Sequence, residues 1–206
     1  VGTLVYFGGT FDPVHRGHLA MATAALAVPG IAGVVFLPAL TPPHKRGRPI
    51  RPFAERVHLL SLACAGHPAL SVSTLEGDLP APSFTARTLA ALMERGEETP
   101  ISLLIGADTL LDLPNWWHPE VVVRDATFLV APRPEVPLDR VRTALAGLLP
   151  EERFAERVRL LAMAPVECSS TKIRADLAQG LDPGDDLPEP VRAYLQGDLG
   201  GGPPPT

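Results

Sequence analysis

Short apolar runs alternate with longer segments of helical period along almost the whole chain, and that alternation admits few folds. Six runs rich in Val, Ile, Leu and Phe read as strands: Thr3–Gly8, Gly33–Leu37, Leu70–Leu75, Ile101–Ile105, Ala126–Ala131 and Arg157–Met163. Helical segments lie between them at Gly17–Val28, Phe53–Ala65, Phe84–Arg95 and Leu138–Leu148, with Ser83 expected to cap the third. Two short helices near Ser170–Gln179 and Pro188–Gln196 follow. The pattern predicts an α/β fold, an open and mostly parallel sheet with helices on both faces.

A chain of 206 residues suits one domain, expected over 1–197, and the Gly- and Pro-rich end reads as a disordered tail over 198–206. The 24 prolines and 18 glycines are scattered between apolar runs, which excludes a collagen-like repeat and marks many loops. With a net charge of −5, nucleic acid is not expected as a partner, and a bound nucleotide must meet a local basic patch. No apolar run is long enough to span a membrane, and no basic flank and cleavage site precede the first strand, so a cytoplasmic protein without a membrane partner is expected. Whether it forms a homo-oligomer is left open. Cys64 and Cys168 lie far apart without metal-ligand spacing, and Cys64 reads as a reduced core residue.

In open sheets of this Rossmann-like kind, ligands bind beyond the carboxyl ends of the strands, so the loops there carry the chemistry. The first is GGTFDPVHRGH, Gly8 to His18. Gly8 and Gly9 are expected to let the backbone turn tightly, and the helix that follows points its free N–H groups at the loop, a site for phosphate. His15 and His18 share a face if the helix has begun, and Gly17 leaves room for a ligand to approach. Zinc is not favoured, because no third ligand lies at recognisable spacing. A second helix start, SSTKIR from Ser169 to Arg174, carries small capping hydroxyls, a buried face set by Ile173 and Leu177, and Arg174 on the side of Ser170 and Thr171.

The loop from Thr41 to Arg51 concentrates Lys45, Arg46, Arg48 and Arg51. The two lysines of the chain, Lys45 and Lys172, both fall in candidate phosphate loops, where a compact point charge suits an anion. After the fourth strand comes IGADTLLDLPNWW: Asp108 is expected at the strand end to accept from a ribose hydroxyl, and Trp116 and Trp117 offer flat faces to a base. PSFTARTL adds Thr85 near a helix N-terminus, where its backbone N–H would be free unless Ser83 caps it.

His15-Arg16-Gly17-His18 resembles the HxGH signature of the nucleotidylyltransferase superfamily. The ordered set GGTFDPVHRGH, TPPHK, PSFTARTL, IGADTLLDLPNWW and SSTKIR resembles the bacterial nicotinate-nucleotide adenylyltransferases from about Leu4 to Leu195. The resemblance implies adenylyl transfer from ATP to nicotinate mononucleotide, giving deamido-NAD and pyrophosphate with Mg2+ in NAD biosynthesis. It implies catalytic roles for His15, His18, Lys45 and Arg174. ATP would meet Gly8, Gly9, Thr10, Phe11, His15, His18, Gly106, Asp108, Ser169, Ser170, Thr171 and Arg174. Nicotinate mononucleotide would meet Lys45 and the backbone amides of Thr85 and Trp117, with Trp116 stacked on its ring and no protein metal ligand. Two residues depart from the family pattern, Trp117 in place of a common tyrosine and Cys168 in place of an aliphatic residue. Other readings keep the fold with a different acceptor, as in phosphopantetheine adenylyltransferase or a cytidylyltransferase, or make the chain a non-catalytic nucleotide sensor.

Overall fold

The computed structural model describes residues 2–43 and 49–197. Lys45, Arg46 and Arg48, and the tail expected over 198–206, lie outside the described residues. In chain order the elements are β1 (Thr3–Gly9), α1 (Arg16–Leu26), β2 (Ile31–Pro38), α2 (Phe53–Cys64), β3 (Leu70–Val72), α3 (Thr85–Glu94), β4 (Ile101–Gly106) and α4 (Ala107–Leu111). There follow α5 (Pro119–Asp125), β5 (Ala126–Ala131), α6 (Leu138–Leu145), α7 (Glu151–Arg157), β6 (Val158–Leu160), α8 (Ser170–Ala178) and α9 (Glu189–Gln196), with short 3-10 turns between some of them.

The strands form one six-stranded sheet in the order β3-β2-β1-β4-β5-β6, every pair parallel. The sequence winds outward from β1 in one direction, then restarts at β4 on the other side. Chain connections therefore diverge between β1 and β4, and a crevice opens beyond their carboxyl ends. The loops that carry Gly8–His18 and Gly106–Trp117 flank that crevice.

Side chains alternate across each strand, so β1 sends Tyr6 to one core and Val5 and Phe7 to the other. The first core packs Leu89 and Leu92 of α3, Val122 of α5, Val141 of α6 and Phe154 of α7 against one sheet face. The second packs Met21 of α1, Leu59 and Leu60 of α2, Ile173 of α8 and Val191 of α9 against the opposite face. This two-faced burial is why the strand runs carry few polar residues.

Several expected boundaries shift. The third strand ends at Val72 and not Leu75, because the Leu75 N–H donates to Ser73 Oγ at 3.3 Å and the chain turns into a 3-10 segment over Leu75–Asp78. The sixth is shorter than Arg157–Met163, since Arg157 closes α7. The segment Gly106–Trp117 is not an open loop but α4 followed by a 3-10 turn, Leu113–Asn115. Together with α5 and α7 these are one- or two-turn elements, too short for a period to show in sequence.

The loops after β1 and β2 are tied by Arg56, a side chain only 1% exposed. Its Nε donates to the Arg51 carbonyl at 3.0 Å, Nη1 to Thr10 at 2.7 Å, and Nη2 to Ala39 at 2.8 Å and Leu40 at 3.3 Å. Burial lowers its pKa, and the carboxylates of Asp12 and Glu76 oppose that. Arg56→Lys leaves one ammonium to serve carbonyls that a planar fork reached together. The expected loss is about 3 kcal/mol of stability, read from urea midpoints, because each stranded buried carbonyl costs about 1–3 kcal/mol. A midpoint equal to the parent's would show that the loops find other partners.

Candidate active site

The tight turn after β1 is made by Phe11, not by the glycines. Phe11 has φ +50°, and the Asp12–Pro13 peptide is cis, whereas Gly8 and Gly9 continue the strand. A left-handed conformation at a non-glycine residue is costly, and here burial of the ring offsets it. Phe11 packs edge-on against Phe7, Phe36 and His18 with centroids 5.3, 5.5 and 5.0 Å away. Its ring covers Gly9, where a Cβ would lie 2.8 Å from Phe11 Cζ. Gly8 is different, with open space where its Cβ would stand.

Helix α1 begins at Arg16, so His15 is its N-cap and His18 its third residue, as the spacing required. The two imidazoles stack with centroids 3.7 Å apart and planes 25° apart. The His15 backbone N–H donates to His18 Nδ1 at 3.1 Å, which leaves the proton of neutral His18 on Nε2. His15 is 7% exposed, and its Nδ1 is buried without a hydrogen-bond partner. Burial pushes its pKa down to about 4, the Asp186 carboxylate works against this, and the Arg133 guanidinium adds to it. His15 therefore enters the site as a neutral imidazole at pH 7. Gly17 serves that ring: a Cβ there would lie 3.0 Å from His15 Cε1 and Nδ1 and 3.4 Å from Cys168 Cβ. The space expected for a ligand at Gly17 is filled by His15.

Ser169 caps α8 by accepting from the Thr171 N–H at 3.2 Å, and Ile173 is fully buried as its spacing predicts. The helix start is joined directly to the first loop. Ser170 Oγ donates to the Pro13 carbonyl at 3.1 Å, and Arg174 Nη1 to the Asp12 carbonyl at 2.7 Å. Arg174 Nη2 also donates to Thr171 Oγ1 at 3.2 Å. The N-termini of α1 and α8 thus meet at one place. Lys172 pairs with Asp176 at 2.8 Å and Asp186 at 3.6 Å. Arg51 likewise pairs with Asp12 at 2.9 Å and Glu55 at 3.2 Å. Cys168 packs as a small partly buried side chain, its thiol pKa raised by burial.

Asp108 sits in the first turn of α4, not at the strand end, and accepts from Arg133 Nε at 3.2 Å. Its carboxylate folds over Gly106, whose Cβ would meet Asp108 Oδ1 at 2.5 Å. An open cleft of about 920 Å³ runs along this side, lined by Arg133, Cys168, Ser169, Lys172 and Asp186. Two smaller cavities lie across the crevice and share Ser83, Thr85 and Trp116 in their walls.

Thr85 is the first residue of α3, where the helix offers its N–H no internal acceptor. Ser83 does not cap this helix: Phe84 holds the N-cap position, while Ser83 exchanges hydrogen bonds with the Thr41 backbone at 3.0 and 3.2 Å. The Phe84 ring stacks on Trp117 at 5.0 Å, and the Arg87 guanidinium lies over both. This brings the PSFT and NWW segments side by side, with Trp116 turned inward against the core and Trp117 exposed.

The cytidylyltransferase-like family model matches residues 6–176. A "probable nicotinate-nucleotide adenylyltransferase" of Symbiobacterium thermophilum is 38% identical over 91% of this chain and 89% of its own length. The chain belongs to the nicotinate-nucleotide adenylyltransferases of this family. The "nicotinate-nucleotide adenylyltransferase" of Escherichia coli O157:H7 is 34% identical over 92% of this chain and 93% of its own. The fold is also that of the Plasmodium falciparum nicotinic acid mononucleotide adenylyltransferase solved with NaAD, at TM-score 0.75, 15% identity and 95% coverage of both chains.

Three residues beside the crevice are not singled out by the sequence pattern: Arg56, Arg133 and Glu76. Arg56 carries a legible signal, since Leu59, Leu60 and Ala63 at i+3, i+4 and i+7 put it on the buried face of α2. Arg133 and Glu76 carry none, because their partners, Asp108 of α4 and Thr88 of α3, lie on other elements.

The His15 pKa gives a pH prediction. In the unfolded chain His15 binds a proton below about 6.5, but the folded value is about 4. Stability contributed by keeping it neutral is present above pH 6.5 and lost as the pH falls toward 4. The loss approaches about 3 kcal/mol. Denaturant midpoints between pH 7 and pH 4 should fall less steeply for His15→Asn than for the parent. Equal slopes would mean that His15 is protonated within the folded chain.

Proposed function

We propose that the chain transfers the adenylyl group of MgATP to nicotinate mononucleotide, giving deamido-NAD and pyrophosphate. The observation that carries this reading is the junction of the α1 and α8 N-termini through Ser170–Pro13 and Arg174–Asp12. Two helix ends, two stacked imidazoles and an arginine converge there, and such helix ends favour phosphate.

The acceptor's 5′-phosphate oxygen attacks the α-phosphorus of ATP, forming one P–O bond while the bond to the bridging oxygen of the leaving pyrophosphate breaks. The attacking oxygen is already anionic, so no general base is required, and the work of the site is positioning and charge stabilisation. His18, its tautomer set by the His15 N–H, donates from Nε2 to a phosphoryl oxygen. Arg174, Ser169, Ser170, Thr171 and the Gly8–Phe11 backbone hold the nucleotide phosphates, and Lys45 meets phosphate from the loop after β2. Gly106 and Asp108 meet the ATP ribose. Trp116 stacks on the nicotinate ring, and the Thr85 and Trp117 N–H groups donate to its carboxylate. Among the described residues no group of three or more His, Cys, Asp and Glu is placed to hold a metal ion. The donors lining the site suit phosphoryl oxygens, and a divalent ion, Mg2+ in this reading, would be carried by the triphosphate and would offset its charge.

Purified protein with ATP, Mg2+ and nicotinate mononucleotide should release pyrophosphate, and no release would end the proposal. Loss of one charge-stabilising donor costs about 10²–10³ in rate, so His18→Ala should lower kcat by that factor with the fold unchanged. Nicotinamide mononucleotide should be used at least about tenfold less efficiently by kcat/KM, because its carboxamide leaves a buried N–H donor unpaired. Equal efficiency for both acceptors would overturn the amide pocket.

A further inference from the structure

Arg133 has no part in the roles given above, yet it stands at the edge of the crevice. It follows β5 after Pro132, at the carboxyl end of the strand. A tight turn through Pro134 fixes its backbone, since the Val136 N–H donates to the Arg133 carbonyl at 3.0 Å. From there the side chain reaches toward the neighbouring strand, β4, and its Nε donates to Asp108 Oδ1 at 3.2 Å. A Cβ at Gly106 would lie 2.5 Å from that oxygen and 3.6 Å from Arg133 Nη2. Carboxylate and guanidinium therefore rest together over the bare backbone of Gly106. The same guanidinium bears on His15 at the start of α1 and lines the open cleft with Ser169 and Lys172.

Stability does not account for the pair. Its side chains are 34% and 55% exposed, and an ion pair open to water contributes little to folding. What the pair fixes is direction. Asp108 Oδ1 is taken by Arg133, whereas among the described residues Oδ2 has no hydrogen-bond partner. A carboxylate held by one oxygen presents the other along a set line, while an unheld one must first give up its other rotamers.

We infer that Arg133 is a positioning residue that aims Asp108 at a ribose hydroxyl of the nucleotide, so that the site tells a ribonucleotide from a deoxynucleotide; this rests on the reading of Asp108 as the ribose contact in the proposed adenylyl transfer. Oδ2 accepts from the hydroxyl while Oδ1 stays on Arg133, and a hydrogen bond to a charged acceptor is stronger than a neutral one. Arg133 acts through Asp108 on one hydroxyl. Its charge also draws the triphosphate, but that attraction is the same for a ribose and a deoxyribose.

The test measures dissociation constants of the Mg2+ complexes of ATP, 2′-deoxy-ATP and 3′-deoxy-ATP by calorimetry, with no acceptor present. The proteins are the parent, Arg133→Ala, Asp108→Asn and the double variant. Arg133 is half-exposed and its turn is closed by backbone atoms, so Arg133→Ala should keep the fold. In the parent, removal of the hydroxyl that Asp108 meets should weaken binding about tenfold or more. Arg133→Ala should weaken all three nucleotides but shrink that penalty to about threefold or less, because the carboxylate is no longer held. On top of Asp108→Asn it should leave the penalty where Asp108→Asn alone puts it. A penalty in Arg133→Ala equal to the parent's overturns the inference, since Arg133 would then serve the phosphates alone. A further fall in the double variant also overturns it, since Arg133 would then meet the ribose itself. A parent that binds all three nucleotides equally, yet releases pyrophosphate from ATP and nicotinate mononucleotide, refutes this inference and leaves the function reading standing. A parent that neither binds ATP nor releases pyrophosphate refutes both.

Discussion

The crevice of this adenylyltransferase hangs on the buried guanidinium of Arg56. The loops after β1 and β2 leave the sheet with carbonyls that no strand can pair, and interior carbonyls without partners are costly. Arg56 meets those of Thr10, Ala39 and Leu40 from a single side chain on α2 and turns back to Arg51. Only a planar fork with donors on three nitrogens can serve loops approaching from different directions. The loop after β1 is therefore set at its base, and its far end is set by Arg174 and Ser170 of α8. Preorganisation of this kind suits chemistry that relies on positioning more than on a nucleophilic side chain.

Glycines around the crevice divide into two uses. Gly9, Gly17 and Gly106 are each covered by a side chain of their own segment, Phe11, His15 and Asp108 respectively. They are small so that these groups can lie flat on the backbone. Gly8 instead borders the cavity lined by Thr85 and Trp116, with nothing over it. The same economy governs charge. His15 is kept neutral by burial and fixes its neighbour's tautomer through its backbone, while Arg51 and Lys172 are spent on carboxylates near the site. Among the described residues, Arg174 differs from these two in donating to a backbone carbonyl and to a hydroxyl at the start of α8.

The sequence by itself determined the elements and the chemical inventory. Apolar runs and helical periods placed six strands and the longer helices within a few residues, because periodicity records which side of an element meets apolar neighbours. The HxGH and SSTKIR segments were legible because spacing along one helix decides which residues share a face, as the stacked histidines and the Ser169 cap show. What tertiary structure decided was every pairing between segments. Arg56 reads locally as a helical arginine beside Glu55, and Glu76 as an acidic turn residue. Their meaning depends on the order β3-β2-β1-β4-β5-β6, which sets β2 and β3 beside β1 and so brings a guanidinium to a carbonyl 46 positions earlier in the chain. Hydrogen bonds and charges act over a few ångströms in space, whereas periodicity reports only along the chain, so such contacts exist once the sheet has chosen its neighbours.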